Sequence, residues 1–134
     1  MLDPHGALIY TMVIVTGAET SLPPDEMAII GDIVGHLPVF HGFDRSKLAV
    51  HLNACAAMLA REDGLVTALQ AIKAALPQRL RETAYAIACD LIAVDGEATE
   101  EELQILDLMR ERFEIDRLIA AAIERGAKAR FQQI

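Results

Sequence analysis

The stretch Asp95-Gly96-Glu97-Ala98-Thr99-Glu100-Glu101-Glu102 places five carboxylates in eight residues, with no base among them. Carboxylates this close repel one another, and the repulsion is relieved either by water and a helix dipole or by a hard cation that takes oxygen ligands. In the first reading Thr99 is a helix N-cap, Glu102 completes the capping box, Glu100 and Glu101 answer the dipole, and Asp95-Gly96 ends the preceding helix. In the second, Asp95, Glu97 and Glu102 converge on a divalent cation such as Ca²⁺, Mn²⁺ or Zn²⁺, and Glu19 and Glu26 either add ligands or form a weaker twin site. Numbering Asp95 as the first position of an EF-hand puts glycine second instead of sixth and Leu106 twelfth, so the turn is not an EF-hand loop. Asp90 joins the candidates because an unpaired carboxylate inside an apolar helix is costly. It must meet an arginine, a cation or solvent.

Other chemistry finds little support. Ser21, Ser46, Cys55 and Cys89 lie in no glycine-flanked elbow and beside no histidine in a recognisable arrangement, so no nucleophile is apparent. His36, His41 and His51 follow no zinc spacing and read as ordinary histidines. No glycine-rich phosphate loop occurs. Cys55 and Cys89 form no C-x-x-C pair and read as reduced core thiols. The chain is therefore expected not to be an enzyme.

The elements that must position the acids read as helices. Residues 6–17 are apolar on every side, as in a buried helix that ends near Gly17. Leu22-Pro23-Pro24-Asp25-Glu26 starts a second helix, with Met27, Ile30, Ile33 and Val34 expected inward. Asp44 caps a third that carries Leu48, Leu52, Cys55 and Leu59, and Glu62-Asp63-Gly64 is expected to end it. A fourth helix runs over about 65–76, and Pro77 starts a fifth that reaches Asp95-Gly96. Thr99 opens a sixth with Leu103, Leu106, Met109, Arg110 and Phe113 in its repeat, and Asp116 caps a seventh from Leu118 to about Lys128.

Shifting the second half back by 76 residues sets Asp95 on Glu19, Glu102 on Glu26, Leu103 on Met27, Leu106 on Ile30 and Met109 on Ile33. After a four-residue insertion around His41-Gly42, Ile115-Asp116-Arg117 falls on Phe43-Asp44-Arg45. The expectation is one all-α domain over 1–134, a bundle of about seven helices. Two pseudo-repeated three-helix units, at about 6–61 and 77–130, are joined by the helix at about 65–76.

Composition narrows the partners. The 134 residues are 53% apolar but only 4% aromatic, which favours packed helices built from Ala, Leu, Ile, Val and Met over a β-sandwich. The formal net charge of -8 argues against gripping a nucleic-acid backbone or an anionic membrane surface. A divalent metal ion or a basic protein partner fits better. The start of the sequence lacks the basic region of a secretory signal and no apolar run is long enough to span a bilayer, so a cytoplasmic location is expected. Nine of the twelve Lys and Arg residues fall in the second half, which leaves a basic docking face on the seventh helix as a weaker reading.

The stretch from Ala88 to Glu102, an apolar helix running into Asp95-Gly96-Glu97 and then Thr99 and Glu102 before an amphipathic helix, resembles the TerB-like tellurite-resistance family. The resemblance extends over nearly the whole chain. It implies an all-α fold of two such units, acids that bind metal ions, and a link to tellurite resistance or stress response. The first unit departs from the pattern: Glu19-Thr20-Ser21 stands where an Asp-Gly-Glu-like turn is expected, and Pro23-Pro24 replaces Thr99-Glu100. A symmetric two-ion site does not follow. The rival reading is a protein-interaction scaffold, in which the acids only cap helices and exposed apolar edges dock a partner or a second copy as a homodimer.

Overall fold

Asp3 opens the first helix, its carboxylate accepting from the Gly6 amide at 2.7 Å, with Pro4 supplying a preset φ at the first helical position. This computed structural model describes residues 1–17, 24–94 and 96–134, and of residues 24–26 the backbone only. Among them are seven α-helices and no strand: α1 (Pro4–Thr16), α2 (Pro24–His36), α3 (Leu48–Leu59), α4 (Gly64–Ala75), α5 (Gln78–Val94), α6 (Glu100–Arg112) and α7 (Arg117–Arg130). The expected all-α class and helix count hold. No helix among the described residues is long and apolar enough to cross a membrane.

The chain divides into two compact units, Met1–Ala75 and Leu76–Ile134. In the first, α1 packs on α3 and α4, which also pack on each other. Every residue of α1 from Gly6 to Val15 is buried, as its all-round apolar sequence requires. Its end is closed by Gly17 at φ 69°, whose amide returns to the Val13 carbonyl at 3.1 Å. The Cys55 thiol donates to the Tyr10 carbonyl, and a Cβ on Gly6 would lie 2.8 Å from the His51 ring. Gly6 with His51 and Tyr10 with Cys55 advance together, so α1 and α3 run parallel at close approach.

Two 3₁₀ turns, Pro38–Phe40 and Arg45–Lys47, carry the chain from α2 to α3. Phe40 is buried, and with Phe43, His5 and His51 it forms a ring cluster with centroids 5.1–6.2 Å apart. The His5 Nε2 donates to the Val39 carbonyl at 2.9 Å. Asp44 caps the second turn, accepting from the Ser46 amide at 3.0 Å and its hydroxyl at 2.7 Å, and those bonds hold its carboxyl below the usual range.

In the second unit α5 packs on α6 and on α7. Its buried side is Ala84, Tyr85, Ile87, Ala88, Cys89, Leu91 and Ile92, a stripe at helical spacing. Thr99 and Glu102 form the expected capping box of α6, and Asp116 caps α7 by accepting from the Leu118 and Ile119 amides. The end of α6 turns through Glu114 at φ 57°, and the Ile115 amide reaches back to the Arg110 carbonyl at 3.0 Å. The Gln78 side chain donates to the Glu114 carbonyl, tying that turn to the start of α5.

Four local expectations need correction. Asp44 does not cap α3; it caps the 3₁₀ turn Arg45–Lys47, and α3 begins after Lys47 with no side-chain cap. Gly64 does not end α3; it is buried and opens α4, where a Cβ would stand 2.1 Å from the Met58 carbonyl oxygen. Met27, expected inward, and Leu103, placed in the repeat of the sixth helix, are 40% and 52% exposed. Both sit in the first turn of their helix, ahead of the residues that reach the core: Ile30 and Val34 on α2, Leu106 and Met109 on α6.

Candidate functional site

The acidic turn lies between α5 and α6. Glu97, Glu100 and Glu101 are exposed, and no ion pair reaches them among the described residues. Glu102 is half-buried: its Oε1 accepts from the Thr99 amide at 2.9 Å while its own amide donates to the Thr99 hydroxyl at 3.1 Å. That reciprocal pair satisfies two of the open amides of a helix start, and the acids of the first turn meet the positive end of the dipole. The capping box engages one oxygen of Glu102. Gly96, at φ 100°, takes a backbone conformation that favours glycine and reverses the chain between the two helices.

Asp90 is not a bare carboxylate inside its helix. Its Oδ1 accepts from the Arg130 Nη2 at 2.5 Å, with the Asp90 side chain 32% exposed and that of Arg130 55%. Of the three partners available to it, an arginine fills the role. Asp95 and Glu19 lie outside the described residues, and Glu26 belongs to α2 by its backbone alone. The described part of the candidate cation site is therefore Glu97 and Glu102 on the turn, with Asp90 engaged by α7. Among the described residues no group of three or more His, Cys, Asp and Glu side chains gathers as a metal site. His36 donates from Nδ1 to the Asp32 carbonyl at 2.8 Å, His51 rests on Phe43, and His41 is exposed.

A part-buried polar pair that the sequence did not single out joins α5 to α7. The Tyr85 ring is buried, and its hydroxyl donates to Glu124 Oε2 at 2.6 Å. Burial, then the bond to Glu124, raises the Tyr85 phenol above its ordinary value. Its neighbour Cys89 is pushed up to about 12, chiefly by burial, and Cys55 in the first unit is likewise pushed up to about 12 by burial. Both cysteines are free thiols, and at neutral pH neither is a thiolate nucleophile. Tyr85 with Glu124 and Asp90 with Arg130 advance together, so α5 and α7 run parallel. The signal available in the sequence was only a similar spacing, five residues from Tyr85 to Asp90 and six from Glu124 to Arg130.

No family model matches the chain, and neither a curated protein nor a solved structure matches it.

Proposed function

We propose that the chain is a non-enzymatic, cytoplasmic helical module of TerB-like type that binds a divalent cation at the acidic turn before α6. The observation that carries this reading is the crowding of carboxylates there: exposed Glu97, Glu100 and Glu101 have no ion-pair partner among the described residues. A cation bridging Asp95, Glu97 and the second oxygen of Glu102 would relieve that repulsion without dismantling the cap. Support for the two-unit TerB-like arrangement comes from the helices. Moving Pro24–His36 forward by 76 residues lands on Glu100–Arg112, and α1 with α3, like α5 with α7, form parallel packed pairs. A tellurite oxyanion would be repelled by the acids, so a part in tellurite resistance or stress response is indirect.

The formed capping box favours a second reading, an interaction scaffold whose acids only cap α6. Thermal unfolding of chelator-treated protein with Ca²⁺, Mg²⁺, Mn²⁺ or Zn²⁺ separates the two. An ion at about 100 times its dissociation constant adds about 2.7 kcal/mol of stability. A rise with one ion, lost in Asp95→Asn, supports the cation site; no rise with any ion leaves the scaffold.

A further inference from the structure

The second unit carries two exposed helix faces of opposite sign. On α6, Glu100, Asp107 and Glu111 are exposed and fall within about 40° of one line down the helix, at about 100° per residue. Leu103 stands beside them, 52% exposed. On α7, Arg117, Arg125 and Lys128 are exposed within about 80° of one another; the one acid on that side, exposed Glu124, is engaged by the Tyr85 hydroxyl. Leu118 stands beside these, 79% exposed. No ion pair engages any of these six charges among the described residues. The buried residues of the two helices, Leu106 and Met109 on α6 and Ala120 and Ala127 on α7, occupy other sides.

The two faces match in length as well as sign. Glu100 and Glu111 are eleven residues apart, as are Arg117 and Lys128, which is about 16 Å of helix in each case. Asp107 and Arg125 sit between them, seven and eight residues from the respective starts. Exposed Ala121 and Ala122 keep the α7 surface low between its long side chains, so a second helix can approach closely. An isolated exposed leucine is ordinary, but one at the start of each opposite charge ladder supplies an apolar anchor to a contact whose register the charges set.

We propose that the outer face of α6 in one copy of this chain docks on the outer face of α7 in a second copy, three acids against three bases, covering Leu103 and Leu118. The formal net charge of -8 opposes approach at long range, yet salt screens it beyond about 8–10 Å while charges in contact still pair. The contact gives the interaction reading a partner and does not rest on a bound cation.

Sedimentation of the full chain over a range of concentrations is the test. Association that weakens about tenfold or more between roughly 0.1 and 0.5 M NaCl is expected. Arg125→Glu with Lys128→Glu, and separately Asp107→Lys with Glu111→Lys, should each be monomeric with unchanged helicity. Their equimolar mixture should restore a 1:1 complex, since one variant keeps the α6 face and the other the α7 face. A wild type that stays monomeric to about 1 mM, or a mixture that does not associate, overturns the proposal. All variants retain Asp95, Glu97 and Glu102, so calorimetric titration with the ions reads the cation site separately.

Discussion

The Tyr85 hydroxyl donates to the Glu124 carboxylate across 2.6 Å, joining a buried ring on α5 to an exposed acid on α7. Tyr85→Phe keeps the ring and removes this bond, while Glu124 turns to water, so the loss should be about 1 kcal/mol. Tyr85→Ala opens a cavity as well and should cost on the order of 3–5 kcal/mol. Denaturant unfolding of the two variants checks the ratio; equal losses would mean that the hydroxyl, not the ring, carries the pairing of α5 with α7.

Thr99→Ala removes the hydroxyl that caps α6 and should lower stability by about 1 kcal/mol. Glu102→Gln keeps an oxygen able to accept from the Thr99 amide, so stability should change little. Cation affinity responds in the opposite order if the turn is a metal site, weakening at least tenfold in Glu102→Gln and little in Thr99→Ala. Unfolding together with titration calorimetry on the same two proteins reads both quantities.

Gly64→Ala forces a Cβ to within 2.1 Å of a backbone oxygen, so the start of α4 must shift from the end of α3; a loss of about 1–3 kcal/mol or more is expected. Gly31→Ala meets only the tip of Arg45 at 3.7 Å inside a helix, and should gain about 0.5–1 kcal/mol. A thermal midpoint that does not fall in Gly64→Ala would contradict the packing described at Gly64.

Both thiols are harder to ionise when folded, each pushed up to about 12 by burial, whereas an unfolded cysteine ionises near about 8.5. The unfolded state therefore holds fewer protons above that value, and the contribution is complete below pH ~8.5 and lost as pH rises toward 12. The unfolding midpoint should fall between pH 8.5 and 10, and fall less in Cys55→Ala with Cys89→Ala. Neither thiol of the folded protein should react with a thiol reagent at pH 8.

The local signals at helix ends were readable because a cap is decided by neighbours in sequence. Thr99 with Glu102, and Asp116, cap α6 and α7 as expected, whereas Asp44 caps only the 3₁₀ turn ahead of α3, and α3 itself starts without a side-chain cap. The Asp3-Pro4 start of α1 carried the same signal two residues before the expected boundary. Gly64 misled because its role is a close approach to Met58, which spacing does not encode. Met27 and Leu103 follow the apolar period, but a period marks a stripe and not the length of stripe that neighbouring helices cover. For the candidate site, the turn chemistry at Thr99 and Glu102 was legible, whereas the Arg130 partner of Asp90 depends on how α5 and α7 align forty residues apart.

The all-round burial of α1 bears on how the protein is made. Its ten buried residues, Gly6–Val15, precede α3 and α4, which begin only at Leu48 and Gly64. At roughly 5–20 residues per second of synthesis, this segment leaves the ribosome seconds before the helices that cover it. During that interval the apolar surface of α1 has no helix of its own unit to cover it. The second unit faces a shorter wait, because α6 begins at Glu100, just after α5 ends at Val94.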